Sequence, residues 1–309
     1  MDYKSYFLEN YNKLYTLKEL LKMRDSNYFD ITIINEQVID SNTISIVMTA
    51  CNRSKQTYFT LKTIAESSYK NVQIIIVDDS SSDKISINEL EKYNLHIELI
   101  NIKNKFWVNP CINYDIGFSF IKGSKIIIQN SEVCHVGDIV DYVYKNIVDN
   151  EYNVFNVISL KNLESNNQLY RMNVITSKNY MNLNKHLGIW YQHPKHRNKN
   201  YHFLTALTKN TFDIIGGFDI DYALGKDYDD NGFLLKIMFN KIKINNVNEE
   251  TLMGIHQWHE QSACGSVSKN YNNEKLFKAK SQYNKENETY LELTSYNEKE
   301  AYDIINKIL

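Results

Sequence analysis

The stretch ISIVMTACNRSKQTYFTLKTIAESSYKNVQIIIVDDSSSD, residues 44–83, decides the fold. ISIVMTA (44–50) and VQIIIVDD (72–79) are continuous apolar runs, the pattern of strands buried on both faces. SKQTYFTLKTIAESS between them places Tyr58, Leu61, Ile64 and Ala65 on one helical face. Strand, helix, strand in this style is the repeating unit of a parallel sheet covered by helices, and such sheets bind ligands beyond the carboxyl ends of their strands. Both strands here end in polar clusters.

The unit continues outward. HIELINI (96–102) reads as a third strand. NPCINYDIGFSFI reads as a helix with Asn109 as N-cap, Pro110 in the first turn and an apolar stripe of Ile112, Ile116 and Phe120. KIIIQ (125–129) is a fourth strand, and IVDYVYKNIV after Asp138, its cap, a further helix. The expected fold class is therefore α/β, with a mostly parallel, Rossmann-like central sheet flanked by helices. Residues 1 to about 40 read as a helical extension, with Leu14, Leu17, Leu20 and Leu21 at helical spacing. Past residue 150 come the strand NVFNVISL and a polar, aromatic segment, NKHLGIWYQHPKHRNKNYHF. IIGGFDIDYALGKDYDDNGFLLKIMF then gives a Gly-rich turn, an acidic loop and a helix. The division read from this is an extension over 1–40, two halves of one domain over 41–140 and 141–262, and a helical tail over 263–309.

Bulk composition excludes several classes. With 309 residues and 43% hydrophobic content the chain can bury a large core. A net charge of −2 without a dense basic cluster gives no general attraction for nucleic acid or an anionic membrane. No apolar run has the length of a transmembrane segment, and the amino terminus lacks the apolar core of a signal peptide. Cys51, Cys111, Cys134 and Cys264 are widely spaced with no C-x-x-C pair, which points away from a zinc ribbon or a disulfide scaffold. These features lead to the expectation of a cytoplasmic protein.

The polar strand ends carry the functional reading. Thr49, Asn52 and Arg53 can bond a base, a sugar or a phosphate; Asp78 and Asp79 can accept from a base N–H or ribose hydroxyls. Each cluster alone is also what a turn requires, but two at neighbouring strand ends favour a nucleotide pocket. In KIIIQNSEVCHVGD, Asn130 and Glu132 stand at i, i+2 spacing, on one side of an extended chain. His135 reads as a turn residue before the Asp138 cap.

From the first strand through VDDSSSD the chain resembles glycosyltransferase family 2, which has the GT-A fold; the resemblance is dense over about 42–140 and patchier to about 260. It implies an enzyme that moves a sugar from a nucleotide-sugar, most commonly a UDP-sugar, to a sugar or glycan hydroxyl. Asp78 and Asp79 would hold the nucleobase and ribose. Cys51 stands where the family often has an aromatic residue. The donor-binding set is then Thr49, Cys51, Asn52, Arg53, Asp78, Asp79, Asn109, Asn113, Asn130 and His202. The family's D-x-D metal motif falls on Asn130-Ser131-Glu132, so Glu132 would carry a divalent cation, Mn2+ or Mg2+. His256 and His259 of GIHQWHE would complete it, His259 as ligand or as a phosphate contact. In GKDYDDNGF, Asp230 takes the place of the base of an inverting transfer and Asp229 that of a hydroxyl-binding acid. Two other readings compete with this one. A sugar nucleotidyltransferase would want a glycine-rich basic loop after the first strand, and TACNRSKQ has no glycine. A non-catalytic nucleotide-sugar-binding domain would be expected to lose the later acids, and Asp229, Asp230 and His256 are all present.

Overall fold

A computed structural model describes residues 2–23, 27–172, 188–247, 251–260 and 271–309. Cys264 and the start of the polar segment, residues 184–187, lie outside the described residues.

The chain begins with α1 (Tyr3–Met23), then β1 (Phe29–Ile34), β2 (Ile44–Ala50), α2 (Ser54–Ala65), β3 (Val72–Asp78), α3 (Ile87–Leu90) and β4 (His96–Ile102). There follow α4 (Cys111–Phe118), β5 (Lys125–Asn130), β6 (Val133–Val136), α5 (Ile139–Asn146), β7 (Glu151–Leu160), α6 (Leu163–Tyr170), β8 (Gly188–Gln192) and β9 (Leu204–Thr208). The remainder is α7 (Lys209–Ile215), β10 (Gly225–Lys226), α8 (Asp229–Phe239), β11 (Lys243–Val247), β12 (Met253–His256), β13 (Tyr271–Asn272), α9 (Glu274–Asn287) and α10 (Glu298–Ile308).

The large sheet runs β1-β4-β3-β2-β5-β9-β7-β12-β6, with β8 and β11 paired to β7 off this path. Its centre, β4-β3-β2-β5, is parallel as the apolar runs predict. β2 and β3 are almost wholly buried along their length. Helix α4 lies close against them: a Cβ on Gly117 would sit 2.7 Å from Val47 Cγ1, so only glycine fits. Beyond β5 the sheet is mixed, because β9 pairs antiparallel to both β5 and β7 and β6 pairs antiparallel to β12.

Two local readings are corrected. The amino-terminal segment is not helical throughout: Phe29–Ile34 is an edge strand antiparallel to β4, where its β-branched Ile-Thr-Ile-Ile run finds a pairing partner. Leu14, Leu17 and Leu21 of α1 are buried as the spacing predicts. His135 is no turn residue. It lies in β6, 3% exposed, its Nε2 2.8 Å from Gln129 Oε1, and burial pushes its imidazole down to about 4. Asp138 caps α5 by accepting from Asp141 N–H, as expected. The two chain ends pack together: Tyr11 of α1 donates to the carbonyls of Leu293 and Tyr296, and Tyr302 of α10 donates to that of Leu8. Among the described residues no helix is long and apolar enough to cross a membrane.

Candidate active site

A cavity of about 310 Å3 opens beyond the carboxyl ends of β2 and β5, within the size range of small-molecule sites. Its lining includes eight residues singled out from sequence: Thr49, Cys51, Arg53, Asn130, Glu132, His202, Asp229 and Asp230. Tyr114, Phe203 and Asp227 complete much of the wall and were not foreseen. Tyr114 had a detectable signal, since it falls in the same helical turn as Asn113.

Glu132, in the lining of one wall, is grouped with His256 and His259. Glu132 ends the turn between β5 and β6, and His256 closes β12, which pairs with β6 in the register His256↔Val133. The Gln257 N–H extends that pairing by donating to the Glu132 carbonyl at 3.0 Å. Glu132 Oε1 lies 3.4 Å from His256 Nε2 and 3.5 Å from His259 Nε2, and the three ligand atoms fall within 4.8 Å of one another. Such separations suit a shared cation, since ligands about 2.1 Å from a metal sit about 3 Å apart when adjacent. The outer ring nitrogens are engaged elsewhere. His259 Nδ1 is 3.0 Å from the Glu260 carbonyl, which can only accept, so a neutral His259 turns its Nε2 lone pair towards Glu132. His256 Nδ1 is 3.4 Å from Ser159 Oγ. This is the arrangement by which outer partners orient metal-binding imidazoles. Acceptors facing one another call for a proton or a metal ion, so these residues fit a divalent cation. Burial pushes the Glu132 carboxyl up, but contact with and charge from the two imidazoles, when they carry the proton, outweigh this and hold it well below its usual range. Burial lowers the half-buried Arg53 guanidinium, and the Glu132 charge offsets part of this.

A second wall is acidic. Asp229 and Asp230 open α8, and Asp230 Oδ1 lies 2.6 Å from His202 Nδ1, a close ion pair rather than an aligned hydrogen bond. His202 therefore serves the acid wall rather than the donor set, and it precedes strand β9. Burial pulls its imidazole down, but Asp230 reverses this and the net shift is upward. Burial, followed by the Asp230 charge, raises Asp229 to about 6, although it accepts from Asn109 Nδ2 at 3.1 Å.

Other expected donor contacts lie outside this cavity wall. Asp78 is fully buried and accepts from Ser81 N–H at 2.7 Å. Asp79 is buried in an ion pair with Lys105 at 2.7 Å. Asn52 bridges the two strand-end loops by accepting from Ser82 N–H and Asp83 N–H. Asn113 is buried, accepting from Trp107 Nε1. Cys111 and Cys134 are free and buried, whereas Cys51 is disulfide-bonded, so it offers the cavity no thiol.

A mixed sheet with a parallel centre, a polar cavity at its strand ends, a carboxylate–imidazole cluster on one side and paired acids on the other define a GT-A-like α/β protein. Residues 45–218 match the model of glycosyl transferase family 2, and the chain belongs to that family. No curated protein matches it in sequence. Among solved structures it resembles S. aureus TarS 1-349 in complex with UDP-GlcNAc, with a TM-score of 0.52, 13% identity, and coverage of 86% of this chain and 71% of that one. It also resembles S. aureus TarS, with a TM-score of 0.51, 12% identity, and coverage of 70% of this chain and 37% of that one. In another TarS 1-349 structure the chain spans 60% of the length.

Proposed function

We propose that this chain is a metal-assisted, inverting glycosyltransferase that moves a sugar from a nucleotide-sugar, in the first instance a UDP-sugar, to a hydroxyl of a sugar or glycan. The observation that carries this reading is one cavity lined by Glu132, which is grouped with His256 and His259, and by Asp229, Asp230 and His202. The complex of TarS with UDP-GlcNAc is the support for a uridine nucleotide in the donor.

Glu132, His256 and His259 would hold a divalent cation, which supplies charge stabilisation to a departing diphosphate. Two imidazoles beside one carboxylate favour Mn2+ over Mg2+, which prefers oxygen ligands. Asn130 and Arg53 offer a donor and a positive charge to the diphosphate. Asp230 takes the proton of the acceptor hydroxyl as its oxygen bonds to the anomeric carbon and the bond to the diphosphate oxygen breaks on the opposite face. The His202 imidazolium holds the Asp230 carboxylate in place, and Asp229 orients a hydroxyl. Asp78 and Asp79 would serve the base and ribose from the cavity's edge, with Lys105 already paired to Asp79. A panel of UDP-, GDP- and dTDP-sugars, each tested for hydrolysis and transfer with and without Mn2+, tests the reading. Turnover of one donor that disappears in EDTA is expected; inertness towards all of them would refute it.

A further inference from the structure

The acid wall rests on an unusual piece of backbone. Asp227 and Tyr228 take positive φ values of 62° and 66°, consecutive left-handed conformations in residues that are not glycine. Such a turn persists only where its surroundings impose it, and two buried asparagines do so. Asn109 donates from Nδ2 towards the carbonyls of Gly225 and Asp227, each at 3.3 Å, and to Asp229 Oδ1. Asn273 donates from Nδ2 to the carbonyls of Tyr222 and Asp227, each at 2.9 Å, and its N–H donates to the Lys226 carbonyl. Asn273 is fully buried, and it follows β13, which pairs in parallel with β10 immediately before the turn. The ring of Tyr228 packs on Phe277 of α9, with centroids 5.1 Å apart. Gly232 lets α8 close on Tyr222, whose ring carbon would lie 2.5 Å from an added Cβ.

The tail is anchored in turn. Lys280 of α9 is fully buried in ion pairs with Asp219, which caps the turn Ile220–Tyr222, and with Asp221 inside that turn. Leu293 N–H and Thr294 N–H donate to Asp221.

We infer that Asn273, supplied by the carboxy-terminal tail, is a positioning residue for the transfer reaction: with Asn109 it imposes the left-handed turn that aims Asp229 and Asp230 into the cavity. The tail is on this account part of the catalytic apparatus. The role in transfer rests on the function proposed above; the geometric claim does not.

The test is Asn273→Ala, read in two ways. First, the His202 imidazole is titrated by NMR, its signal assigned by its loss in His202→Gln. The groups facing that ring are Asp230, Asp229 and the Tyr114 ring. Removing the clamp lets Asp230 retreat, so the His202 midpoint should fall; an unchanged midpoint in a folded variant overturns the inference whether or not any sugar is transferred. Second, with a donor turned over by the wild type, kcat should fall at least tenfold while the Kd for UDP with Mn2+ changes less than twofold. In an Asp230→Asn background the same substitution should cost nothing more, whereas losses that multiply would contradict the positioning role. Asn273→Ser makes a smaller change and is measured alongside; failure of both variants to fold would make Asn273 a fold residue and would also overturn the claim. Failure of the wild type to turn over any donor, with the His202 midpoint moving as expected, would count against the function and leave the turn geometry upheld.

Discussion

The two walls of the cavity are built by different means. Glu132 and His256 are placed by the main sheet through the antiparallel register of β6 and β12. Asp229 and Asp230 are placed by a left-handed turn that side-chain amides and the tail hold from outside. Regular backbone fixes the wall that would hold a cation, and imposed backbone fixes the wall that would move a proton. The walls also differ in charge balance. Glu132 is held ionised by its imidazoles, whereas Asp229 is pushed towards its neutral form by burial and a like charge.

Removing the central group of each wall sets the largest contrast. Asp230→Asn should lower kcat by about 10²–10⁴-fold, the usual worth of a positioned base, and leave UDP binding in Mn2+ nearly intact by calorimetry. Retained turnover would remove Asp230 from that role. Glu132→Gln should do the reverse on binding. Loss of groups that merely orient metal ligands costs about 10–100-fold in affinity, so loss of the carboxylate itself should cost about 100-fold or more in Mn2+-dependent UDP affinity. Wild-type binding in that variant would collapse the distinction between the walls.

Stability against pH sharpens the comparison, because the walls respond with opposite sign. Asp229 has a folded value of about 6, above its unfolded one, so the folded state binds the extra proton between about pH 4 and 6. Stability from this group falls as pH rises through that window and is flat above it. Asp229→Asn should therefore stabilise the protein at pH 8 by roughly 1–3 kcal/mol, one pKa unit being about 1.4 kcal/mol, and the gap should shrink towards pH 4. Glu132 is depressed, so its contribution is present above its unfolded value and is lost as pH falls. Glu132→Gln should accordingly be less stable than wild type at pH 7, by an amount that shrinks on acidification. The Glu132 window lies below its ordinary value of about 4.3, so denaturant titrations in metal-free buffer from pH 8 down to about pH 2 decide both signs, and parallel trends in the two variants would break the contrast. The smallest effect is expected at Ser159, whose hydroxyl lies beside the far nitrogen of His256. Ser159→Ala should weaken Mn2+ binding about tenfold without changing kcat at saturating metal.

What was legible in sequence follows the same division. The buried strands of the parallel centre announce themselves as apolar runs, and Asn130, Glu132, His256 and His259, at or just past strand ends, are singled out by the resemblance to the family. Residues defined by long-range partners were opaque. Asp79 shows no sign in sequence of Lys105, 26 positions away, nor Asn273 of Asp227, 46 positions away. His135 misled because a polar residue in a four-residue strand looks like a turn until Gln129 is seen to satisfy it. His202 was read as a donor contact because Asp230 lies 28 positions further on, across the cavity wall.

The central claim is that the sheet-built wall binds a nucleoside diphosphate through a divalent cation. Titration calorimetry of wild-type protein with UDP, GDP and dTDP, each in Mn2+ and again in EDTA, tests it most directly. The account predicts that one nucleotide binds in Mn2+ and loses most of its affinity in EDTA; equal affinity in both buffers, or no binding of any of the three, would contradict it.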